Sequence, residues 1–169
     1  MIHAPTRWLI IGVLLATSTI LNVPAAIAST EADADAESRK YLKQRADKAR
    51  HAMLAGHYDE AGTVYDELIA ASTAAFGPAD ELTLYLQRFR ANVYFRLGDL
   101  AEAESMTRSG LALSIDGSGE ASVETLHYKN NLATIFQAQE RFDEAAELFA
   151  STIELCREVL GAGHPDTLI

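Results

Sequence analysis

Gly56-His57-Tyr58-Asp59-Glu60-Ala61, Gly98-Asp99-Leu100-Ala101-Glu102-Ala103 and Glu140-Arg141-Phe142-Asp143-Glu144-Ala145 are three versions of one hexapeptide, each 42 residues after the last. The same offset aligns much more of the chain without gaps. Ala49, Ala91 and Ala133 share a column, as do Ala61, Ala103 and Ala145. Ile69, Leu111 and Ile153 form another, and Gly77, Gly119 and Gly161 another. Thr83-Leu84 recurs as Thr125-Leu126 and Thr167-Leu168. A fixed period of this size is the signature of a repeat array.

Each unit contains two helical patterns. In the second, Leu82, Leu86, Phe89, Val93 and Leu97 recur every three or four residues, one face of a helix. Gly98 ends that helix, because glycine takes the left-handed conformation without steric cost. Asp99 then stands at the N-cap of a second helix, with Glu102 at capping-box spacing. This spacing predicts helices over about 39–55 and 58–75, 82–97 and 100–116, then 124–139 and 142–160. The repeated alanines predict close helix crossings, with Tyr58, Leu100 and Phe142 filling the space beside them. A lone hairpin leaves an apolar face uncovered. Stacked hairpins cover it, so stability accumulates with repeat number.

The segment before the repeats reads differently. Arg7 is followed by an apolar run, Trp8–Val23, then Pro24 and Ala26-Ile27-Ala28. That order predicts a secretory signal peptide, residues 1–28, and an exported, periplasmic or secreted chain. The run has 16 residues, short of the ~20 that span a bilayer, so no stable membrane span is expected after cleavage. Residues 29–38 read as a flexible acidic leader. The array proper is expected over 39–169, in units of about 39–80, 81–122 and 123–164, with the start of a fourth at 165–169.

Without residues 1–28 the chain keeps 13 of the 14 Lys and Arg and all 24 Asp and Glu, a formal charge of −11. Such a surface disfavours nucleic acid and anionic membranes as partners. The single cysteine, Cys156, forms no intramolecular disulfide and occupies the column of Ser72 and Ser114, where a small buried residue is expected.

The third unit carries Asn130-Asn131-Leu132-Ala133, Phe136, Phe142, Ala145 and Phe149, followed by Leu160-Gly161-Ala162-Gly163-His164-Pro165-Asp166-Thr167-Leu168. These columns resemble the tetratricopeptide repeat, and the long period resembles its kinesin-light-chain-type subclass. In the first two units the match is looser: Arg88-Phe89 replaces the asparagine pair, and Thr107 stands where Tyr65 and Phe149 place aromatic rings. The resemblance implies an all-α fold, a right-handed superhelix of about three hairpins. It also implies that the first helix of each hairpin lines a concave groove that binds peptides or protein segments.

Carried over by the repeat register, the groove positions are Lys43, Ala46, Arg50, Met53 and Leu54 in the first unit. Tyr85, Arg88, Asn92, Phe95 and Arg96 follow in the second, and His127, Asn130, Thr134, Gln137 and Ala138 in the third. The set holds four cations and no carboxylate. It therefore predicts a basic groove in an acidic protein, suited to acidic segments or a C-terminal carboxylate. Asn92 and Asn130 would hold the peptide backbone, and Tyr85 and Phe95 would anchor apolar groups. The competing reading is solvated helix-face charge with no ligand.

Catalytic, cofactor and metal signatures are absent from the sequence. There is no His-Glu-x-x-His pattern, and one cysteine excludes a Cys-rich zinc site. Gly117-Ser118-Gly119 lacks the phosphate-loop pattern, and no Gly-x-Ser-x-Gly elbow occurs. A non-enzymatic scaffold without cofactor is expected. The alternatives are a self-association module, with a homodimer through the uncapped last hairpin, and a fragment of a longer array.

Overall fold

The computed structural model describes residues 31–160 as six helices, and the side chains of 33–158. The expected signal peptide and the start of a fourth unit lie outside the described residues. The helices are α1 (Glu31–Leu54), α2 (Tyr58–Phe76), α3 (Glu81–Leu97), α4 (Leu100–Ser118), α5 (Val123–Ala138) and α6 (Phe142–Leu160). They pair as the hairpins α1–α2, α3–α4 and α5–α6, and each hairpin packs on the next. Among the described residues no strand occurs: this is an all-α helical-repeat solenoid. No helix among them is long and apolar enough to cross a membrane.

Local chemistry sets the boundaries. Gly98 closes α3 at φ 82°, in the left-handed region. Asp99 opens α4, its carboxylate accepting from the Glu102 N–H. Asp80 and Ser122 cap α3 and α5 in the same manner, accepting from the N–H groups of Leu82 and Thr125. The expected flexible leader is corrected from Glu31 onward, where the chain is already helical. Alternating Ala32, Ala34 and Ala36 favour helix.

Both alanine columns are buried at all three hairpin crossings. The large residues beside them behave less uniformly. Tyr58 and Leu100 are half-buried, whereas Phe142 is 61% exposed. Leu97, expected on the buried face of α3, is 48% exposed at the helix end.

Two columns join consecutive hairpins by a buried hydroxyl pair. Ser72 lies 2.6 Å from Thr83, and Ser114 lies 2.7 Å from Thr125. These bonds pin the end of one second helix to the start of the next first helix, and Cys156 stands in the serine column on α6.

The two hairpin interfaces fill their common layer differently. Between the first and second hairpins the layer holds Tyr65, Leu68, Leu86 and Phe89, with Tyr65 and Phe89 stacked at 5.9 Å. The same columns between the second and third hold Thr107, Gly110, Tyr128 and Asn131. Here the second helix carries no ring in this layer: Tyr128 from α5 lies over Gly110, and its hydroxyl donates to the Leu84 carbonyl at 2.7 Å. Burial raises the Tyr65 and Tyr128 hydroxyls well above the ordinary tyrosine range.

Candidate functional site

The first helices α1, α3 and α5 touch one another in succession, while the second helices α2, α4 and α6 do not. The first helices therefore form the inner, concave side. A cleft of about 350 Å³ opens there between α1, α3 and α5, lined by Arg39, Lys43, Asp47, Glu81, Leu82, Tyr85 and Glu124. Of the expected groove residues, Lys43 and Tyr85 line it. Arg39, Asp47, Glu81, Leu82 and Glu124 were not among the groove positions. They stand three or four residues from Lys43, Tyr85 and His127 on the same helices, so helical spacing alone could have found them.

The carboxylates correct the expectation of a uniformly basic groove. Arg88 Nε donates to Glu124 at 2.8 Å, and the two side chains are 13% and 17% exposed. Arg88 shares its column with buried Ala46, which places it at the seam between helices where a charge needs a partner. Its guanidinium also lies over the Phe89 and Tyr85 rings, at 5.0 and 5.6 Å, and those rings meet at 4.7 Å. Burial raises the Tyr85 hydroxyl as well. Arg50 turns to Asp47, one turn back on its own helix, at 3.2 Å. Arg39 forks onto Asp80 at 2.9 and 2.8 Å and stacks on Phe76. Burial alone would raise the Asp80 carboxyl, but the Arg39 fork and the Leu82 N–H outweigh it and hold the group below the usual carboxylate range.

Lys43, Arg96, His127 and Gln137 are exposed, while Asn92, Phe95 and Asn130 are half-buried. None of these except Lys43 lines the cleft. They extend the concave face along α3 and α5 instead of converging on one point.

The outer side also differs from a plain acidic surface. Asp66 receives a two-pronged hydrogen bond from Arg90, and Glu67 pairs with Arg45. Glu104 accepts from Arg108, Gln139 and Arg141, and Arg141 forks onto Glu144. Burial would raise the Glu104 carboxyl, but these three donors together lower it. The pairs tie α2 to α1 and α3, and α4 to the turn between α5 and α6. Among the described residues no three His, Cys, Asp or Glu side chains converge as a metal site would require.

Two models of the tetratricopeptide repeat family match the chain, over residues 125–166 and 84–109. No curated protein matches it. Among solved structures, the nearly identical TPR-like repeats of a Podosopora anserina protein described as a kinesin light chain superpose with TM-score 0.69 at 22% identity. That match covers 77% of this chain and 62% of the other, and a point variant of the same protein gives 0.69 at 21%, with coverages of 77% and 61%. BtubC (BKLC) from P. vanneervenii matches with TM-score 0.68 at 21% identity, over 77% of this chain and 51% of that one. The chain thus spans roughly half to three-fifths of the length of these structures, and at such identities the likeness is one of fold. The repeat columns, the hairpin stack and the family matches agree: the chain is a tetratricopeptide-repeat protein.

Proposed function

We propose that this protein is an exported scaffold that binds segments of other proteins along the concave face of its first helices. The supporting observation is the cleft on that face, walled by three helices and floored by Leu82 and Tyr85. Export rests on the leader-like order of residues 1–28. With Arg88 committed to Glu124 and Arg50 turned to Asp47, Lys43 and Arg96 are the expected groove cations that make no ion pair among the described residues. They would receive a carboxylate of the bound segment, with the Asn92 and Asn130 amides available to its backbone and Phe95 to an apolar side chain.

The test is affinity capture from an exported-protein extract, with the unaltered chain beside a Lys43→Glu/Arg96→Glu variant and mass spectrometry of what each retains. Both positions are exposed, so the variant is expected to keep its fold. A protein retained by the first and lost by the second supports the scaffold. Equal retention by both refutes the concave-face assignment.

A second reading is self-association through α6. Phe149 stands there in the column where Tyr65 packs between hairpins, and Phe149, Ile153 and Leu155 are only half-buried. The opposite end presents Lys48 and Ala52 in the columns that carry Leu132 and Phe136 in the third unit. Light scattering that gives the monomer mass at high concentration would dismiss self-association.

A further inference from the structure

We propose that the cleft between α1, α3 and α5 selects a protein segment bearing both a carboxylate and a cationic side chain, in preference to an acid-only segment. This deepens the scaffold reading above and rests on it. Five charged side chains line the cleft: Arg39, Lys43, Asp47, Glu81 and Glu124. Three already have partners within the protein. Arg39 is held by Asp80, Glu124 by Arg88, and Asp47 by Arg50. The remaining two are Lys43 on α1 and Glu81 on α3, opposite in sign and exposed; among the described residues neither makes an ion pair, and Glu81 acts on the Arg39 guanidinium only at longer range.

An acid-only segment would gain from Lys43 while approaching Glu81, Asp47 and Glu124. Like charges at a recognition surface discriminate against a partner as effectively as attractive ones select for it. A segment with one acidic and one basic side chain satisfies both unpaired groups and places its apolar atoms on Leu82 and the Tyr85 ring. Each exposed pair is worth about two- to fivefold in affinity. The Lys43 pair is common to both, so the second pair and the relieved repulsion together amount to up to about tenfold over an acid-only segment.

The experiment is fluorescence polarisation on the full chain, using peptides of equal length and apolar content in four classes: acid-only, base-only, mixed and neutral. Mixed peptides are expected to bind up to about tenfold tighter than the other classes. Lys43→Glu should shift the preference to base-only peptides, and Glu81→Lys should shift it to acid-only ones. The doubly exchanged Lys43→Glu/Glu81→Lys should recover the mixed preference. If acid-only peptides bind as tightly as mixed ones and Glu81→Lys changes neither, the proposal is overturned while the scaffold stands. Absence of binding by any class, with captured partners indifferent to Lys43→Glu/Arg96→Glu, overturns both. Competition by a free zwitterionic amino acid at the same concentration as the peptides would assign the cleft to a small molecule and overturn the protein-segment assignment.

Discussion

Gly110→Ala should destabilise this protein, against the usual effect of such a change in a helix. Gly110 lies inside α4, where alanine is normally favoured over glycine by about 1 kcal/mol. A Cβ at this position, however, would overlap Cε1, Cζ and Oη of the Tyr128 ring. That ring is fully buried and its hydroxyl is tied to the Leu84 carbonyl at 2.7 Å, so it has little room to retreat. Overpacking of this kind costs about 1–3 kcal/mol. With the propensity gain set against it, a net loss of up to about 2 kcal/mol is expected. Removing the ring reverses the sign. Tyr128→Leu restores the residue of the equivalent column, Leu86, and itself costs about 3 kcal/mol through the cavity and the lost hydrogen bond. In that background Gly110→Ala should stabilise by about 1 kcal/mol, because the methyl now enters free space. Gly117→Ala, whose Cβ would meet nothing nearer than 3.9 Å, is the control and should stabilise in either background. Urea unfolding followed by circular dichroism gives the four-variant cycle. If the effects of Gly110→Ala and Tyr128→Leu add to within about 0.5 kcal/mol, the two sites are uncoupled and the reasoning fails.

The remaining predictions use the same unfolding measurements. Ser72→Ala should cost about 1–3 kcal/mol, since Thr83 loses its buried hydroxyl partner. Ser114→Ala should cost less, because Thr125 also bonds to Ser122 and the Gly119 carbonyl, and an equal cost would contradict this. Arg88→Glu should destabilise by about 3 kcal/mol by leaving Glu124 facing a second carboxylate in a largely buried seam. Exposed Arg96→Glu should stay within about 0.5 kcal/mol, and Arg88→Glu/Glu124→Arg should recover much of the loss. The Asp80 and Glu104 carboxyls are lowered in the folded state. Their contribution is therefore full above the unfolded value of about 4 and disappears as pH falls through the lowered folded values. An Asp80→Asn variant should show a shallower loss of stability below about pH 4 than the unaltered chain; parallel curves would count against the Arg39–Asp80 link.

Helix placement, hairpin pairing and the alanine crossings could be read from the chain itself, because each depends on local signals repeated at 42 residues. Asp99 and Gly98 cap where the spacing predicts, and both alanine columns are buried at every crossing. The hydroxyl ties were legible too, as serine and threonine columns that recur together, although the sequence reading did not pair them. Lys43 and Tyr85 were expected on the concave face only through the family resemblance, carried over by the register, and both line the cleft.

The tertiary structure decided the electrostatics of that face. Arg88 meets Glu124 across 36 residues, and whether two such side chains share a seam depends on helix rotation and rotamer, which periodicity does not specify. The helical leader from Glu31 follows from summed alanine propensity, which the compositional reading of an acidic tract overlooked. The two hairpin interfaces share one register and yet pack differently, with rings on both α2 and α3 in one and on α5 alone in the other. A repeat sequence determines which columns face each other. The shape that fills each interface is a joint property of four side chains from two hairpins, and it exists only once they are stacked.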